Sequence, residues 1–253
     1  MSIEERIDLA ANLIVNSKHT TAFTGAGISV ESGIPSFRGA DGIWDTYDPM
    51  MLQMDFFLKY PEESWKTIVK IFYSFMGEAK PNSAHSTLAK LQKNGLLHAI
   101  ITQNIDNLHQ LAGSTNVYEF HGTMNTMVCL KCNKKFDKND ISLKKLPPKC
   151  PDCKGIIKPN FIFFGEGIPE KAYNSSFDEI DLAEVFIVIG TTGEVMPACS
   201  IPIIAKRKGA KIIEINTETS SFTNSITDIF LQGKAGEMMV LLGNKVDQIR
   251  SSK

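Results

Sequence analysis

The stretch His19-Thr20-Thr21-Ala22-Phe23-Thr24-Gly25-Ala26-Gly27-Ile28-Ser29 decides how the chain is read. Residues 19–24 are short and β-prone, and they run straight into Gly25 and Gly27. A strand that empties into glycine can turn tightly, and it lets an anionic group approach the backbone closely. The complete Gly-x-Gly-x-x-Gly fingerprint is missing, so the turn alone fits both a dinucleotide loop and an ordinary strand-to-helix turn. Working outward, residues 96–102, 185–190 and 211–216 are further short apolar runs, each followed by polar or glycine residues. Helical patterns fall between them, notably over 201–208. Apolar runs without alternation, separated by helices, predict an α/β chain with a parallel sheet covered on both faces.

Upstream, Ser2-Ile3-Glu4-Glu5 reads as a capping box. Ile7, Leu9, Ala10, Leu13 and Ile14 follow at helical spacing, which predicts a helix over 3–17. Residues 25–48 hold Gly25, Gly27, Gly33, Pro35, Gly39 and Gly42, too much turn chemistry for a regular element. A loop of that length in a compact domain is usually functional. Residues 50–76 are rich in Phe, Met, Leu and Ile, with a helical period broken at Pro61, and predict two or three helices. Further helices are predicted over 83–93 and 235–249.

With 253 residues and 43% hydrophobic content, the chain can bury a large core, in one domain or in one carrying an inserted module. Charged residues make up 22% and the formal net charge is -1, which gives no argument for a nucleic-acid or membrane partner. No uninterrupted apolar run approaches the ~20 residues of a membrane span. The opening Met1-Ser2-Ile3-Glu4-Glu5-Arg6 lacks the basic and apolar regions of a signal peptide, which points to the cytoplasm.

Four of the five cysteines form two pairs, Cys129/Cys132 and Cys150/Cys153, with 17 residues between the pairs. That is the spacing of a tetrahedral zinc site, and four thiolates leave no open position, so the metal would be structural. Seven lysines and three aspartates lie between Cys129 and Cys153. The lysines partly balance the roughly two negative charges of a four-thiolate zinc centre. Taken alone, this segment also fits a DNA-binding zinc ribbon.

Gly25-Ala-Gly-Ile-Ser29, Gly33-Ile-Pro-Ser-Phe-Arg-Gly39, Thr102-Gln-Asn-Ile-Asp106, His121-Gly122, the two cysteine pairs and Phe164-Gly-Glu166 occur in this order. Together they resemble the sirtuin family over about residues 22–216, with Gly233-Lys-Ala-Gly236 matching near the end. The resemblance implies a Rossmann-like part formed by residues 1–45, 83–122 and 159–253. It also implies a small domain made of two insertions, one helical (46–82) and one zinc-binding (123–158). NAD and an acyl-lysine protein or peptide would meet between them. The implied reaction is NAD-dependent deacylation, in which the acyl oxygen attacks the nicotinamide ribose and nicotinamide leaves.

On that resemblance His121 is the base, and its ordinary pKa of about 6.5 suits proton abstraction near neutrality. His19, His85, His98 and His109 are structural candidates. Gly25, Ala26, Gly27, Ser29, Phe37, Arg38, Asp41 and Trp44 fall on the cofactor loop. Gln103, Asn104, Ile105 and Asp106 match the ribose and nicotinamide side, although Asn and Asp there also fit a turn and a helix cap. Gly190, Thr191, Thr192 and Asn216 lie at strand ends, where open α/β sheets bind ligands, and Lys234 and Ala235 match the adenine side. Phe164, Gly165 and Glu166 resemble one edge of the peptide groove, and Gly193, Glu194 and Val195 the other.

Three rival readings follow from parts of the pattern: a protein mono-ADP-ribosyltransferase, a dehydrogenase, and a non-enzymatic zinc module on DNA. The chain has no arginine between Arg38 and Arg207, and Met76 stands three residues after Tyr73. A Tyr-x-x-Arg pair for a distal carboxylate is therefore missing, and neutral acyl groups are expected.

Overall fold

The computed structural model describes residues 1–37, 42–74 and 78–252. Among them the strands are β1 (Thr20–Thr24), β2 (Ala99–Thr102), β3 (Val117–Glu119), β4 (Gly122–Cys129), β5 (Lys135–Asp137), β6 (Ile157–Phe161), β7 (Val185–Ile189), β8 (Lys211–Asn216) and β9 (Ile229–Gln232). The helices are α1 (Ile3–Asn16), α2 (Ile43–Thr46), α3 (Met54–Lys59), α4 (Pro61–Ile68), α5 (Ser83–Lys93), α6 (Leu108–Leu111), α7 (Glu170–Leu182), α8 (Ser200–Arg207) and α9 (Ala235–Ser251). None is long and apolar enough to cross a membrane.

Six strands form one sheet in the order β3-β2-β1-β7-β8-β9, every neighbouring pair parallel. Numbered within that sheet, the order is 3-2-1-4-5-6, the doubly wound Rossmann arrangement, which reverses direction between β1 and β7. Strand alternation sorts the two faces. Ala22, Ile100, Ile187 and Ile213 pack with α1, α5 and α9, while Phe23, Ile101, Phe186 and Ile212 pack with α7 and α8. Both faces are covered, which is why β1, β2 and β7 are buried along their whole length.

A third apolar cluster joins the helical segment to a smaller antiparallel sheet of order β5-β4-β6. Trp65 of α4 is fully buried there and donates from Nε1 to the carbonyl of Ile157 in β6 at 2.9 Å. One side chain thus ties two stretches that lie far apart in sequence, and truncating it would cost about 3–5 kcal/mol.

Several local expectations are met by their physical causes. Ser2 and Glu5 cap α1 reciprocally. Pro61 begins α4 rather than merely interrupting a helix, as its missing N–H allows at a first position. The glycine-rich segment holds more regular structure than its composition suggests: Ala26–Ser32 winds into a 3-10 turn, and α2 follows. Arg38, Asp41, Phe75 and Met76 lie outside the described residues.

Candidate active site

The carboxyl ends of β1 and β7 meet at the reversal point of the sheet, and a cleft of about 810 Å³ opens there. Its floor is backbone. Gly25 N–H donates to Ile189 O (3.0 Å) and Gly27 N–H to Gly190 O (2.9 Å). A Cβ on Gly27 would lie 2.7 Å from Gly190 Cα, and one on Gly190 would lie 2.4 Å from Ile28 N at a φ of +63°. A Cβ on Gly25 would likewise lie 2.7 Å from Gly190 O, so all three glycines are required for the two loops to touch.

Polar side chains brace this floor. Asn104 Nδ2 donates to Gly25 O and Ser29 Oγ, both at 3.2 Å. Ser29 Oγ donates to Asp106 at 2.7 Å, and Asp106 also accepts Leu108 N–H. Burial pushes the Asp106 pKa up, against the pull of these donors. Gln103 Nε2 reaches Thr191 Oγ1 at 3.1 Å, and Asn216 Nδ2 donates to Thr191 O at 3.0 Å. Asn216 Oδ1 accepts Thr217 N–H, which leaves that oxygen one lone pair for a ligand hydroxyl. Ser29 and Asp106 do not line the cleft; they stand behind the residues that do.

His121 sits where the chain leaves β3 for β4, so it hangs between the two sheets. Gly122 follows with φ +75°, and a Cβ there would lie 2.3 Å from Asn160 O. His121 Nδ1 lies 3.1 Å from Gln103 O. A carbonyl can only accept, so Nδ1 carries the proton in the neutral ring and Nε2 is bare. Burial lowers the His121 pKa, while the Gln103 contact raises it. The ring lines the cleft.

The opposite wall is apolar. Phe37 packs on Trp44 (5.4 Å between centroids) and on Phe72 (6.4 Å), and Trp44 reaches Phe164. Leu52, Phe161 and Phe163 complete this side. The segment Phe164–Glu166 is partly spent already: Phe164 N–H donates to Leu52 O, and Phe164 O accepts Met54 N–H. Across the cleft Val195 lines the opening, whereas Gly193 and Glu194 do not. Gly193 is tied to Ser221 and Thr191 instead.

Gly25, Ala26, Gly27, Phe37, Trp44, Gln103, Asn104, Ile105, His121, Phe164, Gly165, Glu166, Gly190, Thr191, Thr192, Val195, Asn216, Lys234 and Ala235 therefore share one cavity. Sequence reasoning missed Glu31, which also lines it and accepts the N–H of Gly236 at 2.6 Å. It missed Met196 and Pro197 beside Val195 as well. The remaining histidines serve the scaffold. His19 pairs with Glu179 and stacks on His98, while His109 bonds Thr24 beneath the loop and lies against His85.

Away from the cleft, the Sγ atoms of Cys129, Cys132, Cys150 and Cys153 lie within 4.8 Å of one another. Tetrahedral zinc with bonds of ~2.3 Å needs sulfurs about 3.8 Å apart. Cys129–Cys153 at 3.4 Å and Cys132–Cys150 at 3.9 Å bracket that spacing. Gly155 makes room, since a Cβ there would lie 3.0 Å from Cys129 Sγ.

Comparison with known proteins agrees with this geometry. A family model described as the Sir2 family matches residues 25–197. An NAD-dependent protein deacylase 1 from Archaeoglobus fulgidus is 43% identical over 233 residues, covering 89% of this chain and 92% of that one. A solved Sir2 homologue in complex with NAD superposes with a TM-score of 0.87 at 41% identity, over 94% of this chain and 93% of that one. A solved complex of Sir2, a p53 peptide and NAD+ gives 0.85 at 37% identity, over the whole of both chains.

Proposed function

The chain belongs to the Sir2 family and is an NAD-dependent protein deacylase, and from that premise we propose how its cleft works. The observation that carries the reading is His121, a half-buried imidazole with its Nδ1 proton engaged and its Nε2 free, set opposite a glycine-built loop. Bound NAD would supply the ribose carbon that an acyl-lysine oxygen attacks, with nicotinamide as leaving group; a ribose hydroxyl would then take the acyl carbon and water would release the lysine amine, leaving the acyl group on ADP-ribose. His121 Nε2 takes the proton of a ribose hydroxyl. Gly25, Ala26, Gly27 and Gly190 admit the phosphates, and Asn216, Lys234 and Ala235 take the adenosine end. Gln103, Asn104 and Ile105 face the nicotinamide side. Phe37, Trp44 and Phe72 exclude water from the reacting carbon, which protects a cationic centre from hydrolysis. Arg38 and Asp41 remain assigned to the loop by resemblance alone.

The four thiolates would hold one structural zinc, which would fold the segment under the aromatic wall. The small domain is proposed as residues 46–82 plus 123–158; the hydrogen bond from Trp65 to Ile157 O supports pairing the two insertions.

Neutral acyl groups are the proposed substrates. Tyr73, the one residue of a carboxylate-binding pair that the sequence retains, donates its hydroxyl to Met124 O at 3.2 Å and does not line the cleft. The wall offers phenylalanine and tryptophan to the acyl chain instead. The test incubates matched acetyl- and succinyl-lysine peptides with NAD and follows products by mass spectrometry. Acyl-ADP-ribose and free lysine are expected, with acetyl processed faster. ADP-ribose attached to peptide, or NADH formation, would overturn the reaction; faster succinyl removal would overturn the preference.

A further inference from the structure

Beneath the proposed peptide edge lies a charge pair that the chemistry above does not use. Lys158 is only 3% exposed. Its Nζ lies 2.9 Å from Glu166 Oε2 and donates to the carbonyls of Pro159 (2.9 Å) and Phe161 (2.6 Å). The ammonium has three N–H groups, and these three acceptors use them all. It also stands 4.1 Å over the Phe163 ring.

Glu166 closes the other half of the device. Its Oε2 accepts Phe163 N–H at 2.6 Å, and its own N–H donates back to Phe163 O at 3.0 Å. Between them Gly165 takes φ +94°. The turn 163–166 is thus closed by side chain and main chain together, and Lys158 fastens it to β6. On the far side Phe164 is held by Leu52 and Met54 through both backbone groups. Among the described residues, no hydrogen bond engages the Gly165 N–H, and Gly165 lines the cleft. Apolar side chains of equal volume commonly stabilise such a site as well as a buried ion pair does. The pair therefore invites an explanation in shape rather than in stability.

We propose that Lys158 and the Glu166 carboxylate are positioning residues that present the Gly165 peptide group to the main chain of the acyl-lysine substrate. They set the affinity for peptide and leave the affinity for NAD to the opposite wall. This rests on the deacylase reading and on a substrate that adds as a strand.

The experiment compares the full chain with its Lys158→Met, Glu166→Gln and double variants. It measures KM and kcat for an acetyl-lysine peptide at saturating NAD, and the Kd for NAD without peptide. Each single change is expected to raise the peptide KM about tenfold, with kcat within about threefold and the NAD Kd within about twofold. The double variant should be no worse than the worse single one, because one pair is lost in each case. Should Lys158→Met fail to fold, Glu166→Gln decides, since it keeps the volume and the acceptor for Phe163 N–H. A Glu166→Gln protein with the wild-type peptide KM, or with NAD affinity weakened as much as peptide affinity, overturns the proposal. A wild-type chain that leaves the peptide untouched overturns the deacylase reading instead, which separates the two failures.

Discussion

The two walls of the cleft are made of different material. One is backbone: Gly25, Gly27 and Gly190 pressed together at the reversal point of the parallel sheet, braced by Asn104, Gln103 and Thr191. The other is side chain: Phe37, Trp44, Phe72 and Phe161, carried on short helices and on a small sheet that ends in four cysteines. A backbone wall cannot be repacked, because each contact is an atom that every residue shares. An aromatic wall can be remodelled ring by ring. The first suits an invariant dinucleotide, the second a choice among acyl chains and peptides.

The comparison is broken most severely at the cysteines. Cys150→Ser is expected to lose the zinc proposed for the four thiolates and to unfold the aromatic wall, because a structural zinc contributes on the order of 10 kcal/mol to the segment that binds it. Metal analysis and thermal melting check this; active protein without zinc would contradict it. Next in size, His121→Ala should lower deacylation about 10²- to 10⁴-fold with the NAD Kd little changed, because the ring belongs to the seam between walls rather than to either. In the wild type, the acid limb of kcat/KM should fall below pH 6.5, since burial lowers the His121 pKa and the base must be neutral to act. A limb above that value would refute the assignment.

Gly190→Ala tests the backbone wall alone. Its Cβ would press on Ile28 N and Gly27 C at a left-handed φ, so a loss of about 3 kcal/mol is expected from overpacking and backbone strain together. Chemical denaturation measures it, and weaker NAD binding should accompany it. A milder acid test reaches the layer beneath that wall. His85 and His109 are buried neutral, with pKa values lowered to about 4 and about 3 by desolvation. The unfolded chain takes up these protons near pH 6.5, so their stabilising effect is complete above 6.5 and falls as pH drops toward the folded values. At least about 2 kcal/mol should be lost by pH 5, and flat stability over that range would reject the account. Smallest of all, Tyr73→Phe should cost about 1 kcal/mol for the bond to Met124 O. The ratio of acetyl to succinyl turnover should not move.

The two walls also differed in how far the sequence disclosed them. The sheet was legible where burial on both faces wrote an unbroken apolar run, as in β7, or a short β-prone run ending in glycine or polar residues, as in β1 and β8. The three residues of β3 and the half-exposed β9 carry too little pattern to be found, and the hairpin of β4 and β5 hides among lysines. The cysteine spacing announced the metal cluster because ligand geometry constrains neighbours in sequence. Glu31 was unreadable for the opposite reason, since its partner Gly236 lies across the chain. The hydrogen bonds that spend Phe164 and Gly193 were hidden likewise, being made to Leu52, Met54 and Ser221.

The contact between Glu31 and the first turn of α9 has a practical corollary for anyone who edits this protein. A carboxylate at a helix amino terminus is favourable, and this one grows from the same 3-10 turn that Gly27 begins to shape. α9 in turn lies along α1 and α5. The helix α9 is thus tied to the glycine-built loop, although it touches the cleft only at its threshold. A fusion or label attached after Ser252 leaves that linkage untouched, whereas trimming the chain back to Lys234 would remove the amide that Glu31 holds and unmoor the loop from its far end.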